Sequence, residues 1–191
     1  MRKIFISAGH SNKAGRDNGA SSGRLIEGQL AQLTREVLVA AIVKLGGTAV
    51  VDDPSLITIE TVKAWKSKIG PNDIAIDLHF NAAANTDIDG VECIVPEKPN
   101  KLELEIADKI SNIVSEVLKT PERGKIGIYD GVKYESQTAR KQLAWMTLPG
   151  NTVLVEWQFI TDKVAMDTFI KNFPLIANRV AVYLTQLQNT N

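Results

Sequence analysis

Residues 73–79 read DIAIDLH, and this stretch decides the fold. Apolar side chains alternate there with Ala75, Asp77 and His79, which is the two-residue period of a β-strand. The strand is short, its apolar face is continuous, and it is predicted to end at His79. We therefore interpret it as the central strand of a sheet, with a chemically reactive side chain at its carboxyl end.

Strands and helices alternate on both sides of this stretch. Before it, the pattern predicts a strand over 3–7, a loop to 23, a helix over 28–45, a strand over 48–51 and a helix over 58–68. After it come a strand over 90–95, a helix that opens at a capping box on Asn100, a weaker strand near 125–129, a helix from about 136 to 147, a strand over 152–156 and two C-terminal helices, the second opened by Pro174. This order predicts an α/β fold with a mostly parallel central sheet and helices on both faces.

Composition is consistent with one domain covering residues 1–191. The chain is 44% apolar, and its length is that of a single ordinary domain. Lysine plus arginine (22) balances aspartate plus glutamate (22), so the cationic excess typical of nucleic-acid binding is missing. The sequence has no run of about 20 apolar residues and no signal-peptide core at its start. We therefore expect synthesis in the cytoplasm and no membrane insertion.

Three reactive side chains follow or end predicted strands. These are His10, His79 and Glu156, and Glu27 lies at the start of the first long helix, close enough along the chain to return beside His10. In parallel sheets, ligands bind beyond the carboxyl ends of the strands. Two imidazoles and a carboxylate leave a zinc ion one open position for water, as in catalytic zinc sites, and one acidic side chain remains for proton transfer.

Each of these residues also has a structural interpretation when it is taken alone. A single histidine is more often a hydrogen-bonded structural group, and Glu27 could simply complement the dipole of its helix. Glu156 is harder to explain structurally, because an unpaired carboxylate on a buried strand costs several kcal/mol. Cys93, the only cysteine, is predicted to be a core residue.

Several short motifs occur in an order and spacing that resemble one family. They are ISAGH at 6–10, DNGA at 17–20, Glu27 before the first long helix, HFNA at 79–82, Arg123-Gly124, and Pro149 followed by VLVE at 153–156. Together they resemble the zinc-dependent N-acetylmuramoyl-L-alanine amidases of bacterial autolysins and phage endolysins. The resemblance spans nearly the whole chain and implies hydrolysis of the amide between N-acetylmuramic acid and L-alanine in peptidoglycan.

The resemblance also implies roles for individual residues. His10, Glu27 and His79 would hold the zinc, while Glu156 would take a proton from water and pass it to the leaving amine.

Four further positions are candidates for supporting roles, and three of them are open to two interpretations. Asp77 is either a hydrogen-bond partner of a ligand histidine or a solvated residue. Phe80 and Trp157 depart from the family pattern and are predicted to line an altered substrate rim, although Trp157 could instead pack in the core. Asn81 either orients substrate or, more simply, holds its loop.

Other functions fit less well. A phosphate-binding loop is disfavoured because glycines at 9, 15, 19 and 23 match neither of the two common glycine-rich phosphate motifs. A zinc carboxypeptidase or another amide hydrolase acting on stem peptides remains an alternative. A non-catalytic wall-binding module is also an alternative, although retention of all four candidate ligand and base residues argues against it.

Peptidoglycan is the expected partner. No separate wall-binding domain is evident in the sequence, which favours a phage or prophage lysin, or an autolysin, that acts on the wall after its release. The oligomeric state is left open, with a monomer favoured.

Overall fold

The computed structural model describes residues 1–190 and contains a central sheet of six strands. In chain order, the strands of this sheet are β1 (Ile4–Ser7), β4 (Val50–Val51), β5 (Ile74–Asn81), β6 (Glu92–Val95), β9 (Val132–Tyr134) and β10 (Asn151–Phe159). Two hairpins lie outside it, formed by β2 (Ser21–Ser22) with β3 (Leu25–Ile26) and by β7 (Lys125–Ile126) with β8 (Tyr129–Asp130). The helices are α1 (Glu27–Lys44), α2 (Thr58–Trp65), α3 (Lys101–Leu118) and α4 (Lys163–Asn189).

The sheet has the strand order β4-β1-β5-β10-β6-β9 and is parallel except between β10 and β6. Helices α1, α3 and α4 contribute to a large apolar core on one face. Helix α2 and a short turn over 144–147 form a smaller core on the other face, which includes Trp65 and Trp145. The predicted single-domain α/β fold, with helices on both faces of a mostly parallel sheet, is confirmed.

The capping box at Asn100 forms as predicted and ties α3 to the sheet. The Asn100 side chain accepts hydrogen bonds from the backbone N–H groups of Leu102 (2.8 Å) and Glu103 (3.1 Å). The Glu103 carboxylate accepts from the N–H of Asn100 and also from the N–H of Thr152 on β10 (2.9 Å). One helix start therefore fixes the position of the strand that carries Glu156.

The helix predicted from about 136 to 147 is wrong. The chain makes two short 3-10 turns, Glu135–Gln137 and Ala144–Thr147, with an irregular segment between them. The Glu135 carboxylate accepts from the N–H of Leu143 (2.8 Å), and Lys141 adopts a left-handed conformation that interrupts a helix. The segment forms one side of the cleft described below.

Two further predictions of secondary structure differ from the structure. The strand predicted near 125–129 is the small β7–β8 hairpin, and the sheet strand lies just after it at β9. The two predicted C-terminal helices are one helix, α4, with Pro174 inside it. Burial of Phe169 and Phe173 before this proline, and of Ile176 and Val180 after it, keeps one continuous face against the core despite the missing N–H group. No helix within residues 1–190 is both long enough and apolar enough to span a bilayer.

Candidate active site

The reactive side chains meet at one edge of the sheet, where β1, β5 and β10 end. His10 follows β1 by three residues, while His79 and Glu156 lie near the ends of β5 and β10. His79 and Glu156 are direct partners across the parallel β5–β10 pair. Strand β5 runs two residues beyond the predicted end at His79, to Asn81. The strand ends therefore bring together His10, His79 and Glu156, as the sequence predicted.

His10, Glu27 and His79 form a compact buried group. Oε1 of Glu27 lies 3.2 Å from Nε2 of His10 and 3.0 Å from Nδ1 of His79. One donor atom from each of the three residues lies within 4.8 Å of the other two. Zinc distances of about 2.0–2.2 Å separate the donors of a tetrahedral site by about 3.4 Å. The three side chains therefore offer donors of the right type at nearly the right spacing.

The second nitrogen of each imidazole is held by another carboxylate. Nδ1 of His10 lies 3.0 Å from Asp17, and Nε2 of His79 lies 3.0 Å from Asp77. Asp77 is fully buried, so the alternative that it is a solvated residue is wrong. Asp17 was missed as a partner by sequence reasoning, although it begins the DNGA motif. Such outer carboxylates fix the ring orientation and tautomer of metal-binding histidines.

The charges around the two rings are unbalanced without a cation. Each imidazole lies between two carboxylates, and a neutral ring can donate only one hydrogen bond. Burial lowers the pKa of His79, but Asp77 and Glu27 outweigh burial and raise it well above its usual value. Burial likewise raises the pKa of Glu27, but hydrogen bonds with both histidines hold it well below its usual range. A proton or a metal ion is therefore favoured between Glu27 and the rings.

Backbone groups complete the surroundings of Glu27. Its Oε2 accepts from the N–H of Ala20 (2.7 Å), and its Oε1 accepts from the N–H of Phe80 (3.1 Å). Gly19 adopts a positive φ of 74°, and a Cβ at this position would collide with the Glu27 carboxylate. The loop before α1 therefore wraps tightly around this side chain, which explains why a glycine is needed beside it.

Glu156 has a different environment, although it lies at the same sheet edge. Its Oε2 is buried and has no hydrogen-bond partner among the described residues. Burial is the largest influence and, with the nearby carboxylates, raises the pKa of Glu156 to about 8, despite the opposing effect of His79. This side chain can therefore accept or release a proton near neutral pH.

A cleft of about 740 Å³ runs over these residues. The three potential ligands and Glu156 lie in it, and it extends past Glu92, Arg123 and Lys133. Sequence reasoning missed Glu92 and Lys133, and it noted Arg123 only as part of a motif. A smaller pocket of about 150 Å³ lies at the histidine end, with Ile57 and Trp145 among the residues that line it.

The predicted substrate rim is partly wrong. Trp157 has no exposed surface and packs against Phe169 and Phe173 of α4, because it points to the face of the sheet that carries the large core. Phe80 borders the cleft, but its side chain is almost fully buried and its ring packs edge to face on Phe169. Asn81 donates to Glu92 (3.1 Å) and accepts from the N–H of Ala82, as expected of a residue that holds its loop.

Comparison with known families and structures gives a consistent result. The sequence model of the family described as N-acetylmuramoyl-L-alanine amidase matches residues 4–182. Comparison with curated proteins gave no match.

Three solved structures resemble the chain over nearly its full length. A protein from Neisseria meningitidis designated an N-acetylmuramoyl-L-alanine amidase is 25% identical, with a TM-score of 0.76 over 96% of this chain and 94% of that chain. The catalytic domain of an endolysin targeting Clostridia difficile is 21% identical, with a TM-score of 0.72 and coverage of 100% and 99%. An amidase from Clostridioides difficile, solved in complex with a lipoprotein, is 18% identical, with a TM-score of 0.75 and full coverage of both chains.

Proposed function

The chain belongs to the N-acetylmuramoyl-L-alanine amidase family, and from this we propose that it cleaves the amide between N-acetylmuramic acid and L-alanine with the help of one zinc ion. The residues that would hold the ion are His10, Glu27 and His79. The observation that carries this proposal is the placement of each imidazole between two carboxylates, which a bound cation would balance. The nitrogen and oxygen donors are those that zinc prefers.

The remaining residues supply orientation and proton transfer. Zinc, when bound, supplies Lewis acidity toward the scissile carbonyl oxygen. Asp17 and Asp77 hold the outer nitrogens of the histidines, so that both rings keep a fixed orientation. Glu156 accepts a proton from the attacking water and donates it to the leaving amine, because it lies in the cleft as the cross-strand partner of His79 and its Oε2 has no hydrogen-bond partner among the described residues.

The cellular role, as a phage or prophage lysin or as an autolysin that acts after release, stays a prediction. Clearing of walls from several bacteria by the purified chain would show which walls it can degrade.

Metal analysis combined with product analysis tests the proposed function. We expect about one zinc per chain and a newly freed alanine amine after digestion of isolated walls. Release of a terminal amino acid instead would indicate a carboxypeptidase. Full zinc occupancy in a double variant, His10→Ala with His79→Ala, would contradict the assigned ligands.

A further inference from the structure

Two cations that line the cleft share one buried carboxylate. Lys133 Nζ lies 2.8 Å and Arg123 Nε 3.2 Å from Oε1 of Glu92, whose other oxygen accepts from Asn81. Arg123 also stacks over the ring of Phe159, at 5.2 Å from its centroid. We call Glu92, Arg123 and Lys133 the cationic end of the cleft.

The cationic end has more positive charge and more donors than Glu92 can satisfy. One carboxylate faces two cations, which leaves an excess of one positive charge. The Lys133 ammonium has three donors and makes one hydrogen bond, to Glu92, among residues 1–190. Both cations keep a partly exposed side chain, at 24% for Lys133 and 38% for Arg123, and both line the cleft. An anion entering the cleft would therefore meet unused donors.

The strand register places these cations close to Glu156. Glu92 and Glu156 are partners across the antiparallel β6–β10 pair, which separates their Cα atoms by about 5 Å. Lys133 lies one strand further, on β9, so its backbone is about 10 Å from β10. An extended peptide advances about 3.4 Å per residue. The cationic end is therefore within two or three residues of the bond next to Glu156.

The substrate implied by the proposed function carries its anions on one side only. The carboxyl group of N-acetylmuramic acid is consumed in the scissile amide, so the sugar side has no carboxylate. The peptide side ends in a carboxylate and includes any acidic side chain. We propose, on the basis of that function, that Lys133 and Arg123 bind a carboxylate of the peptide just beyond its alanine, and that Glu92 positions both cations.

Binding of two matched probes tests this assignment without turnover. The probes are N-acetylmuramoyl-alanyl-glutamate with free carboxylates and the same compound with each carboxylate converted to a carboxamide. In the Glu156→Gln protein, which keeps the whole cationic end, we expect about tenfold tighter binding of the free acid. Adding Lys133→Gln or Arg123→Gln should remove most of this preference, and Lys133→Arg should restore part of it.

A matched control separates local contact from overall charge. Lys125→Gln makes the same change in an exposed lysine that pairs with Asp130 on the β7–β8 hairpin, away from the cleft lining. This control should keep the preference for the free acid. Equal affinity of the two probes in the Glu156→Gln protein would overturn the proposal even if Lys133→Gln failed to fold, and so would an equal loss for both probes in Lys133→Gln.

The proposed function can fail separately. If the wild-type chain binds the free acid preferentially but cleaves neither probe, the carboxylate site stands and the amidase proposal does not. If it cleaves both equally well and binds them equally, the amidase proposal stands and the carboxylate site does not.

Discussion

Glu27 and Glu156 are the same amino acid at one sheet edge, yet their surroundings are opposite. Glu27 contacts both imidazoles and accepts backbone hydrogen bonds from Ala20 and Phe80. Glu156 has a buried oxygen with no partner among the described residues, and its pKa is raised to about 8. The structure thus keeps one carboxylate ionised and leaves the other able to exchange a proton.

The difference shows how a fold assigns chemistry to identical side chains. Glu27 starts a helix and is enclosed by a loop that supplies donors from its own backbone. Glu156 lies within a strand, where the neighbouring backbone groups are already paired in the sheet and offer it nothing. The role of each glutamate here follows from the secondary structure that carries it.

The largest expected effect comes from replacing each glutamate by glutamine. Glu156→Gln should lower the rate by about 10²–10⁴-fold with little loss of zinc, because only proton transfer is removed. Glu27→Gln should lose zinc and activity together, since a neutral amide is a poor zinc ligand. Metal content and wall clearing of both variants provide the measurement, and loss of zinc from Glu156→Gln with retention in Glu27→Gln would reverse the two roles.

Removal of the metal should destabilise the protein by a smaller amount. At a free zinc concentration 1,000-fold above the dissociation constant, binding to the folded state alone contributes about 4 kcal/mol. A chelator should therefore lower the Tm by about 10 °C in a chain of this size. The same treatment should shift Glu156→Gln equally and Glu27→Gln hardly at all. Calorimetry measures the three Tm shifts, and equal shifts in wild type, Glu156→Gln and Glu27→Gln would contradict the separate roles of the two glutamates.

The two outer carboxylates should differ in their effect on the metal. Loss of an outer partner lowers metal affinity by about 10–100-fold. For Asp77→Asn we expect a loss of zinc affinity near the upper end of this range, because Asp77 is buried and water cannot take the place of its carboxylate. For Asp17→Asn we expect a loss of zinc affinity near the lower end of this range, because the side chain of Asp17 is 52% exposed and water can take the place of its carboxylate. Competition with a zinc indicator measures both, and a larger effect at Asp17 would contradict this reasoning.

The smallest effect is on the pH dependence of stability in the metal-free protein. The pKa of Glu156 is raised, so wild type loses stability as the pH rises from about 4.5 toward about 8. Glu156→Gln should therefore melt a few degrees higher than wild type at pH 8 and equally at pH 4. The pKa of Glu27 is lowered, so its ionisation stabilises the fold above about 4.5, and Glu27→Gln should melt lower at pH 8. Shifts of the same sign would contradict the comparison.

Sequence reasoning predicted the parts of the fold that depend on periodic burial. The alternation at 73–79 and the capping box at Asn100 are local patterns, and both form as predicted. The helix prediction for the segment around 136–147 was wrong, because burial of Trp145 and the Glu135–Leu143 hydrogen bond override the helical preference of this segment. The prediction that a helix begins at Pro174 was wrong, because the long buried face of α4 outweighs one missing hydrogen bond.

The site likewise contains residues that the sequence predicted and residues that it did not. His10, His79 and Glu156 could be selected because they lie near or just after the ends of strands that converge at one edge. The partners that orient them were harder to find, since Asp17 lies in a loop and Glu92 pairs with Glu156 only through the antiparallel β6–β10 contact. Trp157 was misplaced although the two-residue period of β10 puts it on the same side as Val153 and Val155, and all three pack in the large core.

The single antiparallel strand pair of the six-stranded sheet has a consequence for how such a protein can diversify. Because β6 runs against β10, it presents its first residue, Glu92, beside the end of β10, and β9 follows at the sheet border. The proposed ligands and Glu156 lie just after β1, at the start of α1 and on β5 and β10, whereas the cationic end occupies β6, β9 and the loop before β7. Substitutions in the border strands would therefore alter the cationic end while leaving in place the residues proposed to cleave the bond.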